Sequence, residues 1–188
     1  MREEYQGFVD KLDNFLVGNS HVAAIRGIND HDKLGLTLAV LDKQVPTLNG
    51  TIMTNGVTRL RELMNETFGG HNLTGKVGNL QQLGKMKVNV EKYSSPGTVG
   101  YDEHDFSLYY PVESALFIPK DTINLRKHIS GSRAKKVIIL TTNDFHGWLE
   151  SIRDLIDEDI ILDTSKAHPK EYQTVIENLQ REGRNLDY

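Results

Sequence analysis

Apolar and polar positions follow two different periods along the chain, and the places where one period gives way to the other divide it into elements. Tyr5, Phe8, Val9, Leu12, Phe15 and Leu16 recur at helical spacing over residues 2 to 17, with Gly18 as the stop, which predicts an amphipathic helix packed on the edge of the domain. Residues 22 to 25 are a short apolar run that leads into Gly27. Beyond Pro46 and an expected turn at Asn49 and Gly50, residues 51 to 54 predict a short strand. Leu60, Leu63, Met64 and Phe68 then predict a helix capped by Thr58 and closed at Gly69 and Gly70. Residues 69 to 85 hold five glycines and read as a loop with one helical turn near residues 80 to 83.

Met86, Val88 and Val90 alternate as a strand, residues 94 to 105 read as a second loop, and residues 106 to 112 as an aromatic strand with Pro111 near its end. Residues 137 to 140, Val-Ile-Ile-Leu, are a continuous apolar run of the kind buried on both faces of a parallel sheet. They lead through Thr141, Thr142, Asn143 and Asp144 into a helix carrying Trp148, Leu149, Ile152, Leu155 and Ile156. A short strand at 160 to 162 and a helix over 165 to 181, with Pro169 in its first turn, complete the series. Strand and helix units thus begin near residues 22, 51, 86 or 106, 137 and 160. Such alternation implies parallel strands joined by crossover helices, so the expected fold is a single α/β domain over 1–188, a three-layer sandwich with a mostly parallel sheet and an added N-terminal helix.

One segment reads two ways. Leu34, Leu36, Leu38 and Val40 alternate with Gly35, Thr37, Ala39 and Leu41, which suits the second strand of a hairpin turning at residues 29 to 33, while the same residues also suit a helix. The regularity of the following units favours strand, loop and helix.

On that reading the stretch from Gly27 to Leu34, G-I-N-D-H-D-K-L, resembles a nucleotide-binding P-loop, G-x-x-x-x-G-K-[ST], with two parts replaced. Gly27 and Lys33 match the first glycine and the lysine. Asp32 stands at the second glycine and brings a carboxylate to where a polyanion should sit; Leu34 stands at the hydroxyl position and cannot hold magnesium. The run Thr141, Thr142, Asn143 after a late buried strand, followed by a helix and D-L-I-D-E-D-I-I-L-D, is similar to the tail of RecA-like domains, where small polar residues sense the γ-phosphate. This resemblance implies a P-loop/RecA-like fold, and Gly27, Asn29, Lys33 and Asn143 as candidate nucleotide-contacting residues. With two phosphate-site parts lost, it also implies a regulatory or assembly subunit with weak or no hydrolysis.

Composition narrows the chemistry without deciding it. Net charge is −4 with pI near 6.0, so the whole-molecule field does not draw the protein to nucleic acid or anionic lipid. The chain has no cysteine, which excludes disulfides, thiolate metal sites and a cysteine nucleophile. The N-terminal stretch lacks the basic and apolar pattern of a secretory leader and no apolar run is long enough to span a membrane, so a cytoplasmic protein away from membranes is expected.

Two further readings compete. Asp102, His104 and Asp105 with Glu113, or Asp144 with His146, would serve a metal-dependent hydrolase or nuclease at the carboxyl ends of strands. The local run of Asp144, His146 and Gly147 after a buried strand resembles the opening metal signature of the 5′-nucleotidase branch of metallophosphoesterases, but the later motifs that complete a two-metal site are absent from the residues after Gly147. Lys120, Arg126, Lys127, Arg133, Lys135 and Lys136 form the most basic stretch and would serve an interaction module through nucleic acid or an acidic partner. A protein partner or homo-oligomer is expected in either non-catalytic case. Neither a specific cofactor nor a substrate is indicated.

Overall fold

The computed structural model describes residues 5–69, 77–93, 103–142, 147–184 and 186. Its framework is a seven-stranded sheet with strands β1 Val22–Arg26, β2 Asn49–Met53, β3 Leu80–Leu83, β4 Met86–Glu91, β5 His104–Tyr109, β6 Ala134–Leu140 and β7 Glu158–Ile161. They lie in the order β3-β4-β2-β5-β6-β1-β7, all parallel except β3, which pairs antiparallel with β4. The mostly parallel α/β architecture expected from the alternation of elements is therefore present. Residues 22–41 form strand, loop and helix; the hairpin reading fails because β1 finds its partners in β6 and β7 rather than in the segment that follows it.

Helices α1 Gln6–Val17, α2 Asp30–Lys43 and α3 Val57–Phe68 contribute to one apolar cluster, while α4 Glu113–Leu116, α5 Pro119–Ser130 and a 3₁₀ helix Trp148–Leu155 contribute to another. The strands supply both. In β6, Ile138 and Leu140 belong to the first cluster and Val137 and Ile139 to the second, so consecutive side chains enter opposite layers and the whole run must be apolar. Each fully buried Leu or Ile contributes about 1.5–3 kcal/mol relative to an exposed one. Helix α6 Pro169–Arg181 is different, since only Leu179 on it is fully buried.

Local departures from expectation have identifiable causes. Residues 80–83 form a strand, because Gln81 and Leu83 face inward while Leu80 faces solvent, and Gly84, at φ +58°, makes the two-residue connection to β4. Gly50 lies within β2 rather than in a turn. It faces Phe106 across the β2–β5 pair, and the ring occupies the space a Cβ would need. Helix α3 begins after Gly56, whose N–H donates to Thr54 Oγ1 at 3.0 Å, so Thr58 is not its cap. Helix α5 begins at Pro119, and the Thr122 hydroxyl donates to the Ile118 carbonyl at 3.2 Å.

Candidate functional site

Neighbouring strands β1 and β6 send their chains in opposite directions across the sheet. From β1 the chain passes through α2 to β2, on the far side of β6 and β5; from β6 it passes through the 3₁₀ helix to β7, on the far side of β1. In open α/β sheets the usual ligand crevice lies at the carboxyl ends of two strands whose following segments part in this way. The segment from Gly27 to Lys33 begins there, and Thr141 and Thr142 follow β6 directly.

Gly27 has φ +131°, and a Cβ on it would overlap the Leu162 carbonyl oxygen just beyond β7. The glycine is thus required by the close passage of two backbone segments. Asn29 caps α2, its side chain accepting from Asp32 N at 2.9 Å, so one of the N–H groups that would face an anion is already satisfied. Asp30 and Asp32 occupy the first turn and oppose the positive end of the helix dipole with full negative charges.

Lys33 is completely buried. Its ammonium donates to the Gly27 carbonyl oxygen and, at 3.1 Å, to Thr141 Oγ1, whose hydroxyl is 3.3 Å from the Ile25 carbonyl. The lysine therefore ties the loop back onto β1 and β6. Leu34, at the hydroxyl position, is fully buried in the core shared by α1, α2 and α3. Tyr110 donates to Asp30 at 2.7 Å, and Glu113 accepts from Thr142 N at 2.7 Å and Thr142 Oγ1 at 3.1 Å, joining the end of β5 to the end of β6.

Asp32 points out of this crevice. One of its oxygens accepts from the Tyr5 hydroxyl and lies 2.8 Å from His168 Nε2. Asn29 also donates to Glu171 at 3.3 Å. Residues at the start of α1 and the start of α6 thus hold the first turn of α2 from outside, a role for Tyr5 and His168 that no sequence pattern announced.

Among the described residues, Glu113 lies apart from His104 and Asp105. Glu113 follows the carboxyl end of β5, whereas His104 and Asp105 open the same parallel strand, a strand length of roughly 15–20 Å away. His104 pairs with Ser107 at 2.7 Å, and Asp105 with Lys135 at 2.8 Å and Asn49 N at 2.9 Å. Burial alone would raise the Asp105 carboxyl, but the hydrogen bonds from Lys135 and Asn49 hold it below the ordinary range. Among the described residues no group of three or more His, Asp or Glu side chains gathers to hold a metal. Asp102, Asn143, Asp144 and His146 lie outside the described residues.

The basic stretch is also divided. Arg126 makes a two-pronged ion pair with Asp154 at 2.6 and 2.7 Å, Lys135 binds Asp105, and Lys136 donates to the Gly18 and Ser20 carbonyls at 2.8 and 2.6 Å. Lys120 and Lys127 are exposed on α5, and Arg133 is exposed beyond it. No described helix is long and apolar enough to cross a membrane.

The mostly parallel sheet and its helices place the chain among α/β proteins. No protein-family model matches this chain, and no curated protein is significantly similar to it in sequence.

Proposed function

We propose that this protein is a degenerate P-loop, RecA-like domain acting as a regulatory or assembly subunit, with weak or absent nucleotide hydrolysis. The observation that carries the reading is the buried Lys33 ammonium bonded to Gly27 and Thr141, within a loop that sits where an α/β sheet offers a ligand site. A phosphate loop depends on open N–H groups, a lysine directed outward and a hydroxyl for magnesium. Here Asn29 covers the helix start, the lysine is engaged inside, and Leu34 replaces the hydroxyl. Within the loop, Asn29 bonds to Asp32 N and the Lys33 ammonium to Gly27 and Thr141. The form of the metal-dependent hydrolase reading that joins Glu113 with His104 and Asp105 has less support, since these residues stand at opposite ends of β5.

Titration calorimetry with magnesium-ATP and magnesium-GTP, beside a Lys33→Met variant whose folding is verified by circular dichroism, tests the proposal. The expected result is no binding tighter than about millimolar for either protein, and turnover at background. Micromolar binding with magnesium-dependent turnover that Lys33→Met abolishes would establish a working site and overturn it. Turnover unchanged by Lys33→Met but lost on chelation would transfer the activity to a metal-dependent hydrolase.

A further inference from the structure

We infer that the elbow between α4 and α5 is the partner-docking surface of this subunit, and that it takes an acidic amphipathic helix of a protein partner. The inference rests on the assembly-subunit reading above. Phe117, Ile118 and Ile123 are 63, 52 and 55% exposed, three large apolar side chains within seven residues. A soluble protein seldom gathers such groups on its surface without a use, and aromatic anchors beside aliphatic ones are typical of interface centres.

The surroundings specify the occupant. Lys120, Ile123, Lys127 and Ser130 follow one another at spacings of three, four and three along α5, and all four are exposed. They therefore form one continuous stripe on the helix face opposite the buried Leu125, His128 and Ile129. No acidic residue lies on this stripe, although the chain as a whole carries a net charge of −4. Arg126, on the flank of the helix, is held by Asp154, and Asp121, also on the flank, is half-buried, so the charges on the exposed stripe itself are Lys120 and Lys127. An apolar ridge between two ammonium groups is complementary to a helix with apolar residues at i, i+3 and i+4 and carboxylates beside them.

The position bears on the crevice too. Phe117 N donates to the Glu113 carbonyl at 3.2 Å, and Glu113 in turn receives Thr142 at the end of β6. A partner seated on Phe117 would press on the short helix that begins with Glu113.

The test uses the full chain and two synthetic amphipathic helices of about five turns, one of leucine and glutamate and one of leucine and lysine, followed by fluorescence anisotropy. The expected result is salt-sensitive binding of the glutamate helix, weakened about tenfold or more by Ile123→Ser. In Lys120→Glu/Lys127→Glu the preference should invert toward the lysine helix, which a variant that had merely unfolded would not do. Failure of the glutamate helix to bind, or equal binding by wild type and Ile123→Ser, would overturn the inference. So would association only with vesicles of anionic lipid, or self-association in sedimentation that Ile123→Ser removes, the latter making a second copy the occupant. None of these readouts involves Gly27 or Lys33. A working nucleotide site would overturn the proposed function alone, and loss of peptide binding would overturn this inference alone.

Discussion

At the scale of single residues, close packing and local hydrogen bonds fix individual positions at the amino ends of the strands. Gly50 illustrates how one such position is fixed: the Phe106 ring lies where a methyl would go, and both belong to paired central strands that cannot easily separate. Gly50→Ala is expected to cost about 1–3 kcal/mol, measured by denaturant unfolding, because overpacking forces the ring off its rotamer. Asp157 illustrates an electrostatic anchor. It accepts from Val22 N and His21 N at 2.8 Å each, and these bonds hold its carboxyl below the ordinary range. A carboxylate depressed in this way contributes stability that is present above its unfolded-state pKa of about 4 and is lost as pH falls through the folded-state value. Asp157→Ala should therefore cost about 1 kcal/mol at neutral pH, with the difference from wild type shrinking toward about pH 3, as read from paired unfolding curves. His128 behaves oppositely. Burial, with His104 nearby, lowers its pKa and favours the neutral ring 2.6 Å from the Tyr109 hydroxyl, so charging it in acid opposes folding.

At the scale of elements, α6 is the loosest attachment to the sheet. Tyr172, Val175 and Ile176 remain partly exposed, Leu179 alone is buried, and the helix start is fastened to α2 through His168 and Asp32. His168→Ala is expected to speed amide exchange in α6 by about fivefold while leaving β1 and β6 protected, as read by native-state hydrogen exchange. The periodicity of the chain made most elements legible, because helices and buried strands bury side chains at fixed intervals. It failed where tertiary contacts overruled local preference: Gly50 looked like a turn until Phe106 supplied the missing side chain, and residues 80–83 needed β4 beside them to become a strand. The candidate site was legible only in part. The bonds of Lys33 to Thr141, Asn29 to Glu171 and Asp32 to His168 join residues more than a hundred positions apart, which no spacing rule can reach.

At the scale of the whole molecule, the two ends of the sheet carry different chemistry. The carboxyl end holds Lys33, Asp30 and Glu113, bonded to Thr141, Tyr110 and Thr142 respectively, whereas the amino end has a cavity of about 410 Å³ lined by Asn49, Glu103, His104, Asp105, Arg133 and Lys135. Breaking the Lys135–Asp105 pair at that second end should matter little, because Lys135 is 77% exposed along its side chain. Lys135→Ala is expected to leave the unfolding midpoint essentially where it is in wild type, whereas Ile138→Ala in the centre of β6 should cost about 2–5 kcal/mol; one denaturation series on the two variants makes the comparison. The strand order also has a consequence for synthesis on the ribosome. β1, made early, pairs only with β6 and β7, so Val22 must wait for Val137 and Ala23 for Glu158 before either edge is satisfied. The nascent N-terminal third therefore leaves the exit tunnel with β1 unpaired on both sides, and Val22–Arg26 stays an open strand edge through most of translation.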